Sequence, residues 1–140
     1  MREINAPYIW GGKGDVVWTP QGGGTLGFHG FDCSGLVTWG LKQAGGPDVR
    51  LSESAQTLFD KWMAPISATA IDVAPTAAFY GVSPQRIYHV AILVSVYGQV
   101  WTLQAAGGDH TILTVADAKA RGACVSFQPH TPANTRPDFQ

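Results

Sequence analysis

The chain has 140 residues, 45% of them hydrophobic and 14% charged, which is enough for one domain with a buried core and argues against disorder. Its net charge is −1 and its nine Lys and Arg residues are scattered, so there is no basic patch for nucleic acid or an anionic membrane surface. No apolar run approaches the roughly 18 residues of a membrane-spanning helix, and the first five residues do not resemble a signal peptide.

The first distinctive stretch is short and aromatic. Tyr8 and Trp10 precede two glycines, Gly11 and Gly12, whose backbone can approach another element closely. Aromatic residues in such a stretch are most often core residues with satisfied polar tips. Spacing alone therefore assigns neither of them a function.

The segment Lys13–Gly30 shows no helical or strand period, and it contains three consecutive glycines. We therefore predict a long loop there. Loops of this length without secondary structure of their own are usually functional or disordered. Because this one leads directly to Cys33 and carries Trp18 and Phe28, we expect it to form a wall or lid of a cleft.

A helix is predicted to begin at Cys33. Asp32 is a good N-cap, which makes Cys33 the first helical residue, and the partial positive charge of a helix N-terminus can lower a thiol pKa. Cys33 is therefore a candidate nucleophile, with a small buried hydrophobe as the alternative interpretation. It lies on the apolar stripe of the helix with Leu36 and Leu41, so a base that activates it should come from the layer packed beneath.

The sequence after this helix predicts one more helix and then a series of strands. A serine cap signal within Leu51–Phe59 and an apolar pattern that continues to Trp62 predict a second short helix, followed by a connector over Met63–Pro75. Alternation then predicts five strands, over Thr76–Gly81, Tyr88–Val96, Val100–Gln104, Thr111–Val115 and Ala123–Gln128, with one helical turn over Ala116–Arg121. We expect an α+β domain over residues 1–130, its N-terminal helices packed on an antiparallel sheet of about five strands, and an extended tail over residues 131–140.

The chain has two cysteines, which would allow one disulfide. Because Cys124 lies in an alternating segment, we interpret it as a free, buried strand residue. A zinc site could draw on Cys33, His29, His89 and His110, but the spacings typical of zinc ligands are absent. We therefore expect no metal and no other cofactor.

A cysteine at a helix start and a histidine at the start of a strand, here Cys33 and His89, suit a thiolate–imidazolium pair on two rigid elements. Three stretches sharpen this hypothesis: Tyr8–Gly12, Phe31–Val37 and His89–Ile92. In this order they resemble the signature blocks of the NlpC-type bacterial cell-wall cysteine peptidases. The segment Ser52–Gln56 also resembles the Ser-Ala-Gln helix of that family.

The resemblance implies a papain-like fold that hydrolyses an amide in peptidoglycan stem peptides, typically between D-γ-glutamate and the diamino acid. It implies Cys33 as the nucleophile, His89 as the general base, and Gln104 as the group that orients the imidazole. The substrate-binding positions that it implies are Tyr8, Trp10, Asp32 and Ser34.

The expected partner is peptidoglycan, with the protein acting as a monomer in the cell wall or periplasm of bacteria or as part of a phage lysin. Since no signal peptide is recognised, export would use another route, an upstream segment or phage delivery. The same scaffold is compatible with an N-acetylmuramoyl-L-alanine amidase, an acyltransferase, or an inactive wall-binding or tail module.

The register of the hairpin after His89 decides whether Gln104 can reach the imidazole. A four-residue loop over Ser95–Gly98 would pair His89 with Gln104, with Cβ atoms about 4.5–5.5 Å apart. A two-residue turn at Gly98–Gln99 would instead pair Leu93 with Gln104 and leave His89 roughly 13 Å away along the strand. We therefore predict the four-residue loop.

Overall fold

A computed structural model describes residues 4–62 and 75–130. Nine elements follow one another in this part of the chain: β1 Lys13–Thr19, β2 Gly22–Phe31, α1 Cys33–Gln43, α2 Ala55–Trp62, β3 Thr76–Ser83, β4 Arg86–Val96, β5 Gln99–Ala106, α3 Val115–Arg121 and β6 Cys124–Pro129. The architecture is mixed, with three helices and two antiparallel sheets in the described ranges. Residues 63–74 of the predicted connector and the predicted tail 131–140 lie outside the described residues.

The larger sheet has four antiparallel strands in the order β3-β4-β5-β6, and α1 and α2 both pack on β4. The expectation of about five strands is therefore wrong. The N-terminal segment lies along β6, where Asn5 N–H donates to the Val125 carbonyl at 2.8 Å and Tyr8 N–H to the Ala123 carbonyl at 3.0 Å. This segment forms only an isolated bridge with β6 and does not become a fifth strand.

The predicted loop over Lys13–Gly30 is wrong, because β1 and β2 form an antiparallel hairpin that pairs Lys13 with Phe31 and Thr19 with Gly22. Glycine has no side chain that could contribute to an alternating pattern, so the glycine-rich strand β2 carries no strand signal. Arg50 links the hairpin to the chain before α2, since its guanidinium donates to Asp15 on β1 at 2.7 Å. The hairpin is therefore held to the body of the domain.

The predicted four-residue loop between β4 and β5 is also wrong. The strands are joined by a two-residue turn at Tyr97 and Gly98, with Val96 opposite Gln99. Both turn residues have positive φ, 49° and 80°, as a type I′ hairpin turn requires. The predicted loop over Ser95–Gly98 contains both turn residues, so the position of the hairpin was predicted correctly and the loop length was not, because tyrosine rarely adopts a positive φ.

The strand predicted over Thr111–Val115 is wrong, because this stretch leads into α3. Thr114 and Asp117 form a capping box at the start of that helix, in which each side chain accepts from the other residue's backbone N–H. The helical turn predicted over Ala116–Arg121 and the strand predicted over Ala123–Gln128 are confirmed as α3 and β6.

The core has two parts. One part joins α1 to β5 and β6 and consists of Tyr8, Phe31, Leu36, Leu103, Ala105, Ile112, Ala118, Ala123 and Val125. The other joins α2 to β4 through Ala55, Leu58 and Val90, and Cys33 packs against it. Cys33 and Cys124 are both free, and Cys124 is a half-buried strand residue. No helix within residues 4–62 and 75–130 has the length and apolar character needed to span a bilayer.

Candidate active site

Cys33 is the first residue of α1, as predicted. Asp32 caps the helix with extended backbone, and its Oδ1 accepts from the Gly35 N–H at 2.7 Å. The Sγ of Cys33 lies 3.9 Å from the Tyr88 carbonyl oxygen, and the backbone N–H of Val90 hydrogen-bonds to the sulfur. The thiol therefore lies against the stretch of β4 backbone that flanks His89 on both sides.

The pKa of the Cys33 thiol lies above its ordinary value, at about 11. Burial is the largest cause and the neighbouring Asp32 carboxylate the second, and together they outweigh the smaller lowering contributions of the Val90 N–H, the Lys13 ammonium and the Ser34 N–H at the helix N-terminus. The expectation of a lowered pKa is therefore wrong. At neutral pH the sulfur carries its proton and needs a base to remove it.

His89 lies in β4 and is 5% exposed. Its Nε2 lies 2.8 Å from the Gln104 Oε1, and on its other side the ring of Tyr80 packs against it with centroids 5.2 Å apart. An amide oxygen can only accept, so Nε2 carries the proton of this hydrogen bond. In the neutral ring Nδ1 is then the nitrogen that can accept a proton.

The contact between His89 and Gln104 spans a diagonal of the sheet. Ile92 lies opposite Leu103, so the same register continued by one residue sets Gln104 opposite Ala91, two positions from His89. Diagonal neighbours on one face are roughly 7–8 Å apart, within reach of long side chains. The glutamine side chain is long enough to span this diagonal, which is wider than the distance between directly paired residues.

A pocket of about 470 Å³ opens beside Cys33. The four residues predicted to bind substrate, Tyr8, Trp10, Asp32 and Ser34, all line it, as does Trp18 of the hairpin. His89 and Gln104 are not among the residues that line it. The pocket thus brings the nucleophile candidate and the binding candidates to one surface.

Lys13 is the site residue that the sequence analysis missed. It begins β1, is 4% exposed, and places its Nζ 2.9 Å from Asp32 Oδ1 and 2.7 Å from Ser34 Oγ. The only signal in the sequence was its position directly after Gly11 and Gly12. Because the segment was predicted to be a loop, the sequence analysis predicted no direction for the Lys13 side chain. In the structure Lys13 lies on a strand, and its side chain is part of the pocket wall.

Gln56 of the Ser-Ala-Gln segment holds α2 to the first residues of β4 and to the turn before them. Its Oε1 accepts from the Ile87 N–H at 2.6 Å, and its Nε2 donates to the Pro84 carbonyl at 2.9 Å. Both contacts lie just before His89 in the chain. The segment therefore fixes the start of the strand that carries the imidazole.

The histidines considered for zinc do not come together. His29 packs on Trp39, with ring centroids 5.8 Å apart, and His110 lies 6.3 Å from the ring of Trp10. No group of three or more His, Cys, Asp or Glu side chains suited to a metal ion occurs among the described residues.

Comparison with known proteins supports the resemblance seen in the motifs. The sequence profile of the NlpC/P60 family matches residues 5–124. Over 58 residues, the chain is 38% identical to a probable endopeptidase of Mycobacterium bovis and to two probable endopeptidases of Mycobacterium tuberculosis strains. These alignments cover 41% of this chain and 11% of each relative. No solved structure matches the chain.

Proposed function

Since this chain belongs to the NlpC/P60 family, we propose that it is a cysteine endopeptidase with a papain-like fold that hydrolyses an amide bond in peptidoglycan stem peptides. The scissile bond in this proposal joins D-γ-glutamate to the diamino acid. The family acts on the bacterial cell wall, and the relatives are named probable endopeptidases, which supports a cell-wall peptidase in general. The observation that carries the proposal is Cys33 at a helix start, beside a strand whose His89 is held by Gln104.

In the proposed reaction His89 acts first as a general base. Its Nδ1 takes the proton of the Cys33 thiol while the sulfur attacks the carbonyl carbon of the scissile amide. Gln104 keeps the proton on Nε2 and so keeps Nδ1 available. The raised thiol pKa fits this order, because the proton then leaves the sulfur during attack and not beforehand.

The negative charge that develops on the carbonyl oxygen needs hydrogen-bond donors. The first N–H groups of a helix have no partner within the helix, so the Cys33 N–H at the start of α1 suits this role. As the carbon–nitrogen bond breaks, the leaving amine takes the proton from His89. Water then attacks the thioester, again giving a proton to His89, and the released sulfur recovers a proton from the imidazolium.

Tyr8, Trp10, Asp32 and Ser34 are proposed to shape the substrate site. Trp10 is 43% exposed and offers a ring face to a bound peptide, whereas Tyr8 lines the pocket with only 5% of its surface exposed. Asp32 and Ser34 already bond to Lys13, so in this proposal they define the pocket wall and act less by direct contact with substrate.

Digestion of purified sacculi containing a diamino acid, followed by fragment masses, tests the proposal. The wild type should release fragments with a new free amine on the diamino acid, and Cys33→Ala should release none while keeping its melting temperature. Cys124→Ala is the matched control, because it removes the other cysteine, and it should digest normally. Activity that survives in Cys33→Ala would overturn the thiol mechanism.

The same fragments separate the alternatives. Free N-terminal L-alanine would indicate an N-acetylmuramoyl-L-alanine amidase, and transfer of the peptide to an added amine would indicate an acyltransferase. Binding of the folded wild type to sacculi without any release would indicate a wall-binding or tail module.

A further inference from the structure

The ammonium of Lys13 lies next to the residues on both sides of Cys33. It contacts both oxygens of Asp32, at 2.9 and 3.2 Å, and the hydroxyl of Ser34 at 2.7 Å. With the side chain almost fully buried, these three contacts use the three protons that the ammonium can donate. A buried lysine of this kind is tolerated only when it is paired with a fixed anion.

Asp32 does not need Lys13 to cap α1. Its Oδ1 accepts from the Gly35 N–H at 2.7 Å, and its Oδ2 accepts from the Gly11 N–H at 3.1 Å. These backbone contacts already fix the carboxylate and the helix start. Lys13 instead adds a full positive charge beside the Asp32 carboxylate, which is the only anionic side chain next to Cys33 in the sequence.

That charge matters because Asp32 and a Cys33 thiolate would repel one another. The Asp32 carboxylate raises the pKa of the Cys33 thiol, and the Lys13 ammonium opposes it. The other titratable side chains at the site are Tyr8, Glu53 and Tyr88 in the pocket lining and His89, which follows Tyr88 on β4. Glu53 is paired with Lys61 at 3.6 Å, and Lys61 is not a lining residue. Lys13 is the only cation among the described residues that line the pocket.

We propose that Lys13 is a positioning residue for the reaction: through its ion pair it neutralises the charge of Asp32, so that negative charge can develop on the sulfur of Cys33. This inference rests on the proposed role of Cys33 as nucleophile. A purely structural Lys13, which only ties β1 to α1, would change stability and leave the ionisation of the thiol unchanged. The two roles therefore differ in a quantity that can be measured on the sulfur itself.

The test is the pH dependence of Cys33 alkylation by iodoacetamide, measured in a Cys124→Ala background so that one cysteine reacts. Lys13→Met should raise the thiol pKa by about one unit, which is about tenfold slower alkylation at any pH below the pKa, because Asp32 keeps its backbone contacts while its charge is no longer neutralised. Adding Asp32→Asn removes the repelling charge and should return the thiol pKa to near that of the Cys124→Ala parent. The double variant leaves neither charge buried alone, so its comparison with the parent remains available even if Lys13→Met by itself does not fold.

Lys42→Met is the matched control, since Lys42 lies 4.0 Å from Asp48 in an exposed pair at the far end of α1. It should leave the alkylation profile unchanged. A thiol pKa in Lys13→Met equal to that of the Cys124→Ala parent would overturn the inference, and so would a double variant whose thiol pKa departs from the parent by about one unit. Because alkylation needs no substrate, this result is independent of the sacculus assay, whose failure would instead count against the proposed function.

Discussion

Replacing Gln104 with alanine removes the acceptor of the His89 Nε2 proton. The imidazole is 5% exposed, so water cannot readily take the place of the amide oxygen at 2.8 Å. Its N–H must then stay unpaired, or the ring must turn or change tautomer. Each of these outcomes takes Nδ1 away from the arrangement in which we propose that it accepts the thiol proton.

The size of the effect follows from the cost of the unpaired group. Leaving a buried donor without a partner costs about 1–3 kcal/mol, and each 1.36 kcal/mol in a barrier is about tenfold in rate. We therefore expect Gln104→Ala to lower kcat/KM by about 5- to 150-fold. Because the contact is diagonal, the shorter side chain of Gln104→Asn should recover less activity than the longer one of Gln104→His.

The assay is hydrolysis of a soluble stem peptide, with the melting temperature measured on the same samples. Gln99→Ala is the matched control, because Gln99 is exposed at the other end of β5 and should not affect turnover. A kcat/KM for Gln104→Ala within twofold of the wild type would refute the orienting role. A kcat/KM that falls only in proportion to the folded fraction would refute it equally.

Three further predictions concern the thiols and α1. Because burial raises the pKa of Cys33 to about 11, its alkylation should accelerate about tenfold per pH unit between pH 7 and about 10, and a plateau near pH 6 would contradict this. Cys124→Ala should leave turnover unchanged, and reduction of the native protein should not change its mass; a gain of two hydrogens would reveal a disulfide. Gly35→Ala should lower the free energy of unfolding by about 1–3 kcal/mol, since its Cβ would overlap the Gly12 carbonyl oxygen. Gly40→Ala, with open space at its Cβ, should instead raise it by about 0.4–1 kcal/mol, and equal effects in chemical denaturation would refute the argument.

The sequence predicted those helices and strands whose signal lies within a few neighbouring residues. A capping aspartate and an apolar stripe indicate the start of α1 at Cys33, and strict alternation indicates β4. The hairpin β1–β2 was missed because a run of glycines has no periodicity, although its backbone pairs as in any antiparallel ladder. The turn between β4 and β5 was placed correctly but given the wrong length, because Tyr97 adopts a conformation for which glycine or asparagine is the usual signal.

The sequence by itself determined the family, the order of the helices and most strands, and the residues that the candidate site would draw on, because these depend on residue type, spacing and local caps. Only the tertiary structure decided how those residues meet. It set Gln104 diagonally across from His89, directed Lys13 onto Asp32, and buried the Cys33 thiol so that its pKa rises. Register, burial and charge pairing depend on contacts between residues far apart in the chain, and no local pattern encodes them.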